Sequence, residues 1–100
     1  MSLDALDEKI LDWGLQKGIL PHAEPLAQLD KTEEEVGELR QAIYEHDVDE
    51  VKDAIGDIYV TITMQAEAWG FTMEECVQAA YDVIKRRTGK MVDGKFVKDN

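Results

Sequence analysis

The sequence predicts an all-α fold, a four-helix bundle closed by a short C-terminal β-hairpin, on three observations. Apolar residues recur three and four positions apart through most of the chain. Two patterns, Asp47-x-x-Glu50 and Thr72-x-x-Glu75, are capping boxes placed just before such runs. Near the C-terminus, Asp93-Gly94 separates two short runs, which signals a two-residue hairpin turn. The 100 residues contain no linker, low-complexity tract or internal repeat, so residues 1–100 read as one domain with one core.

The first helix follows from Leu3, Leu6, Ile10 and Trp13, with Gly18 as its stop. "LPHAEP" is a connection, and Pro25 suits the first turn of a second helix that runs to about Glu45. Its apolar stripe is Leu26, Leu29, Val36, Leu39 and Ile43. Asp47 caps a third helix ending near Gly70, with a core stripe of Val51, Ile55, Ile58, Ile62 and Trp69. Thr72 caps a fourth helix, expected to continue through Val77, Ala80, Val83 and Ile84 to Gly89. "MVDGKFV" is the hairpin.

Twenty-two acids against eleven bases give a formal charge of −11. Such a surface repels nucleic-acid polymers and anionic membranes, and neither is expected as a partner. No apolar run approaches the roughly 20 residues that a membrane span needs. The start "MSLDALDEKI" lacks the apolar core of a signal peptide, and Cys76 is the single cysteine. Both point to a cytoplasmic protein in a reducing compartment.

The acids are not spread evenly. On the second helix, Lys31, Glu34, Glu35 and Glu38 share an arc of about 100°, and on the third Glu50, Asp53 and Asp57 share about 60°. Like charges so spaced repel, by about 0.2–0.5 kcal/mol per exposed pair. A solvated acidic face would explain the second helix. It fits the third badly, because that arc continues as Val60, Met64 and Ala68, so the helix is apolar on two sides and buried on both. Asp57 then sits at the mouth of a buried seam and needs a counter-charge. A hard divalent cation held by oxygens from both helices meets that need, and Mg2+ is the expected ion.

Other metals fit poorly. "DVDEVKD" lacks the glycine and the final glutamate of a calcium loop. Neither His22 nor His46 has the Glu-x-x-His spacing of a di-iron bundle, and no Cys/His spacing suits zinc. Lys85, Arg86, Arg87 and Lys90 form a basic cluster in a chain otherwise poor in positive charge. It either complements the end of the fourth helix or clamps phosphate oxygens.

With "EEVGE" at 34–38, "GDIYV" at 56–60 and the tail "YDVIKRRTGKMVDGKFVK", the sequence resembles the MazG-like all-α nucleoside triphosphate pyrophosphohydrolases, in particular the phage- and integron-type members. Their motif is Glu-Glu-x-x-Glu, a spacer, then Glu-x-x-Asp. One position departs from it: with Asp57 as the final aspartate, Ala54 stands where the preceding glutamate belongs. Either Asp53 replaces that glutamate, or Glu50-x-x-Asp53 is itself the second half and Glu50 is a ligand. Asp82 stands where relatives often carry asparagine.

The resemblance implies hydrolysis of a (deoxy)nucleoside triphosphate to a monophosphate and diphosphate, in the service of nucleotide-pool cleaning. Glu35, Glu38, Asp53 and Asp57 would hold Mg2+, with Mn2+ as a substitute, and Glu34 would orient or deprotonate the attacking water. Lys85 and Arg87 would grip the phosphates, with Lys31 and Asp82 as further contacts, and Trp13 could stack on the base. Three short neighbours cannot cover a third helix that is apolar on two faces, so a homodimer or homotetramer is expected. The rival expectation is a non-catalytic acidic helical module of the antitoxin or adaptor kind, whose acids serve solubility alone.

Overall fold

The computed structural model describes residues 1–99 as four helices followed by a two-stranded hairpin. The helices are α1 (Leu3–Gln16), α2 (Pro25–Tyr44), α3 (Val48–Ala68) and α4 (Met73–Ile84), and the strands are β1 (Gly89–Val92) and β2 (Lys95–Lys98).

Local chemistry sets most of the boundaries. The Ser2 hydroxyl accepts from the Ala5 N–H at the start of α1. Pro25 occupies the first turn of α2. Asp47 caps α3 by accepting from the Glu50 N–H at 3.1 Å. Thr72 and Glu75 form the full reciprocal capping box of α4. Asp93 and Gly94 both take positive φ, as the expected hairpin turn requires, and the strands pair antiparallel from Gly89↔Lys98 to Val92↔Lys95. A side chain at Gly89 would collide with the Val97 carbonyl, so this position needs glycine.

The end of α4 differs from the expectation. It stops at Ile84 with Lys85 as its C-cap, not at Gly89. Arg86, Arg87 and Lys90 therefore lie beyond the helix, in the connection and on β1, and α4 carries no basic residue in its last turn.

The centre of the fold is the antiparallel pairing of α2 with α3. Gln28 Nε2 donates to the Thr61 carbonyl at 3.1 Å, and Gln65 Nε2 to the Pro25 carbonyl at 2.9 Å. Between them the Thr32 hydroxyl donates to Thr61 Oγ1 at 3.0 Å, inside the seam. Small residues permit the close approach: Ala42, Ala54, Thr32 and Thr61 are all buried, and Met64 is the largest fully buried side chain. Helix α1 is tied to α3 by the Tyr59 hydroxyl, which donates to Asp7 at 2.7 Å. Burial, followed by that bond, pushes the Tyr59 phenol up to about 12.

The expected core stripes are not the packed ones. Val36 (44% exposed) and Ile43 (56%) on α2, and Ile55 (57%) and Trp69 (62%) on α3, face outward in the single chain. The seam selects small residues because they let the backbones approach, so it uses the Ala54, Thr61 and Met64 side of α3. Of the bulkier stripe on α3, Ile55 and Trp69 are left outward while Val51, Ile58 and Ile62 are half-buried. Helix α4 buries no residue fully, and both strands are exposed throughout.

Thr61→Val is expected to lower the unfolding free energy by about 1 kcal/mol, the net worth of one hydrogen bond. The Thr32 hydroxyl would keep its second acceptor, the Gln28 carbonyl at 3.2 Å. The double variant Thr32→Val/Thr61→Val should cost little more than either single change, because both remove the same bond. Urea denaturation of the four proteins measures this, and fully additive losses would show that the bond does not couple the helices.

Candidate metal centre and adjoining cavity

Residues 35, 38 and 57 meet at the middle of the α2–α3 seam. Glu35, Glu38 and Asp57 each present a carboxylate oxygen within 4.8 Å of the other two. On α2, residues three apart share a face, and the antiparallel crossing brings the matching turn of α3 opposite them. The site is half sheltered: Glu35 and Asp57 are partly buried and Glu38 is exposed at its outer edge.

The electrostatics are those of crowded acids. The carboxyl of Glu35 is raised above the ordinary range by its hydrogen bond to Glu38, then by burial and by the charges of Glu38 and Asp57. Asp57 is raised by burial and by the neighbouring Asp53, and less so by Glu38. Lys31 opposes both shifts. Its ammonium lies 3.2 Å from Glu34 but 3.9 Å from Glu35, so the better partner is outside the trio. Glu35 Oε2 is buried and has no hydrogen-bond partner.

That orphaned oxygen tests the fit of a cation. A buried acceptor without a partner costs about 1–3 kcal/mol, and more when charged. An oxygen-only donor set drawn from two rigid helices suits a hard divalent ion, which would satisfy the orphan and neutralise the trio. The residues present fit such an ion.

The other expected site residues divide into three groups. Lys31 and Trp13 join the trio's surroundings: both line a cavity of about 410 Å3 that also reaches Glu35 and Asp57. Trp13 is 43% exposed and so is a cavity wall, not a core residue. Asp53 lies beside Asp57 and raises it, but does not complete the mutually close set. It lines, with Asp57, a second groove between α1 and α3. Glu50 sits one turn nearer the start of α3, fully exposed, and Glu34 is exposed and held by Lys31.

Lys85, Arg87 and Asp82 are not brought to the cavity within one chain. Lys85 instead pairs with Asp82 at 3.3 Å and lies over the Tyr81 ring. Ala54, which stands where the family's motif has glutamate, is buried in the seam one turn before Asp57.

Glu24 and Gln28 also line the cavity and were not singled out from the sequence. A signal was present: positions 24, 28, 31 and 35 fall on one face at helical spacing, a polar ladder leading into the acidic motif. What hid it was the start of α2, since a helix wheel does not tell how the preceding connection folds over.

A pair of antiparallel helices carrying a carboxylate trio beside a partly apolar cavity defines a class, an α-helical protein with a candidate divalent-cation site. Comparison with known families is more specific. The family model of the MazG nucleotide pyrophosphohydrolase domain matches residues 23–92, which include α2, α3, α4 and β1. The chain belongs to this family, and its class of activity is therefore nucleotide hydrolysis. No curated protein and no solved structure matches the chain. Among the described residues, no helix is long and apolar enough to cross a membrane.

The raised carboxyls predict a pH effect in chelator. A group whose native pKa is raised contributes its full stability below its unfolded value, about 4 for these acids, and loses it as pH rises through the native value. The metal-free protein should therefore lose thermal stability between about pH 4 and neutrality. Glu35→Gln and Asp57→Asn should flatten that slope in melts recorded with EDTA. Identical slopes in the variants would show that the trio's repulsion is not felt.

Proposed function

We propose that this chain hydrolyses a (deoxy)nucleoside triphosphate between its α and β phosphorus atoms, giving the monophosphate and diphosphate, with Mg2+ held by Glu35, Glu38 and Asp57. The observation carrying the reading is the partnerless buried Glu35 Oε2 within a trio of carboxylates that opens onto a cavity. Membership of the family supplies the reaction class. A nucleotide alone would be repelled by a surface of charge −11, so the substrate is the metal–nucleotide complex.

The cation supplies charge neutralisation for the phosphates and a Lewis acid at the scissile linkage. The chain's own residues do the rest. Glu35, Glu38 and Asp57 would hold the cation on rigid helices, with Asp53 supporting Asp57 from the adjoining turn. Lys31 turns from Glu34 to a phosphate oxygen, which frees the Glu34 carboxylate. Glu34 then orients the attacking water and takes its proton. The water oxygen bonds to the α phosphorus, the α–β bridging bond breaks, and the electron pair leaves with diphosphate.

Phosphate contacts from Lys85 and Arg87, with Asp82, need a second copy in this reading, since one chain keeps them away from its own cavity. The outward Val36/Ile43 and Ile55/Trp69 stripes give that copy an apolar surface to cover, which supports a homodimer or homotetramer. The free Cys76 fits a cytoplasmic protein that cleans the nucleotide pool.

A panel of nucleotides incubated with Mg2+ or Mn2+ and resolved by chromatography tests the reaction. Monophosphate and diphosphate are expected, and release of inorganic phosphate alone would exclude it. Glu38→Gln should abolish turnover and also the rise in melting temperature on adding Mg2+. That rise corresponds to about 2.7 kcal/mol at a hundredfold excess over Kd. In the same assay, Asp53→Asn should remove most activity, whereas Glu50→Gln should leave it near the parental level. Equal damage from the last two would move the second half of the motif to residues 50–53.

A further inference from the structure

The cavity has two chemically different ends. Along α2, Glu24, Gln28 and Glu35 line it in turn, and eleven residues of helix separate the first from the last by about 16 Å. With the phosphates at Glu35, a nucleoside laid along this face brings the edge of its base to Glu24 and Gln28, with Trp13 as a flat wall beside it.

That end carries the Glu24 carboxylate, which can only accept, beside the Gln28 amide. Gln28 Nε2 is committed to the Thr61 carbonyl at 3.1 Å. A carbonyl can accept only from the amide nitrogen, so the orientation of the Gln28 amide is settled, with Oε1 and the second N–H left unengaged. Glu24 occupies the N-cap position of α2, yet its side chain makes no capping bond. Serine, threonine, aspartate or asparagine there would stabilise the helix relative to a non-capping residue. A glutamate gives up that gain and places a carboxylate on the cavity. The nearest cation on this face, Lys31, is engaged by Glu34.

We propose that Glu24 is a specificity-determining residue that selects a nucleobase bearing an exocyclic amino group, cytosine in preference to uracil. The proposal rests on the reading of this cavity as a nucleotide site. A carboxylate accepts well from the cytosine N4 amino group. Uracil presents O4 at the same place, where its lone pairs would face those of the Glu24 carboxylate. Sites that hydrogen-bond a ligand group reject analogues lacking it far more strongly than apolar pockets reject a missing methylene.

The pair dCMP and dUMP differs at this edge alone, so titration calorimetry of both in the presence of Mg2+ is the test, run beside hydrolysis of dCTP and dUTP. The parent chain should bind dCMP about tenfold more tightly than dUMP, or better. In Glu24→Gln, whose amide can both donate and accept, the ratio should fall towards unity, with far-UV circular dichroism confirming the fold. Equal affinities in the parent, an undiminished ratio in the variant, or binding of neither monophosphate would overturn the proposal. Selective dCMP binding without hydrolysis of either triphosphate would retain the base selectivity and discard the pyrophosphohydrolase reading. Hydrolysis of both triphosphates without selectivity would do the reverse.

Discussion

Repulsion among Glu35, Glu38 and Asp57 is the constraint around which the α2–α3 pair is organised. The three carboxylates each hold an oxygen within 4.8 Å of the others, and Glu35 Oε2 is buried without a partner. Helices free to move would separate at this point. They are held by bonds on the C-terminal side of α3: Thr32 to Thr61, Gln28 to the Thr61 carbonyl, and Gln65 to the Pro25 carbonyl. On the other side the buried Ala42 and Ala54 close the seam. The acids therefore occupy a gap flanked by a polar clasp and an alanine contact, which keeps the site preorganised without a ligand.

Preorganisation explains why Lys31 does not dissolve the site into an ordinary ion-pair network. Its ammonium is closer to Glu34 than to Glu35, and it is exposed, so its attraction is screened. A surface lysine offsets little of the cost of two half-buried carboxyls. A divalent ion carries twice the charge to the centre of the trio and meets oxygens already in place. The same geometry gives the cavity its polarity, with phosphates expected at the acidic end through the cation and the base at the Trp13 and Glu24 end.

Much of this was legible in the sequence, and what was not has physical causes. Helix starts are local events, so Ser2, Pro25, Asp47 and Thr72 act where the chain leads one to expect. The Asp93-Gly94 turn is equally local. The end of α4 is not: no special residue marks Ile84, and the helix stops five residues short of the nearest glycine signal, Gly89. On α3, two apolar arcs compete, and periodicity favoured the bulkier one, with Val51 and Ile55. The helices instead pack through Ala54, Thr61 and Met64, because close approach depends on small side chains and no wheel contains the partner helix. Spacing put Glu35, Glu38 and Asp57 on facing arcs, and the structure brings their carboxylate oxygens within 4.8 Å of one another. Spacing could not separate Asp53 from the trio, since Asp53 and Asp57 are only about 40° apart on the helix. Nor could it show that Lys85 and Arg87 stand away from their own chain's cavity.

The central claim is that the α2–α3 seam is a divalent-cation site. Crystals soaked in Mn2+, measured at a wavelength where manganese scatters anomalously, test it without reference to activity. The account predicts an anomalous peak bounded by Glu35, Glu38 and Asp57, lost in Glu38→Gln. A seam without a peak, or a peak between Glu50 and Asp53 with none at Glu35, would contradict it.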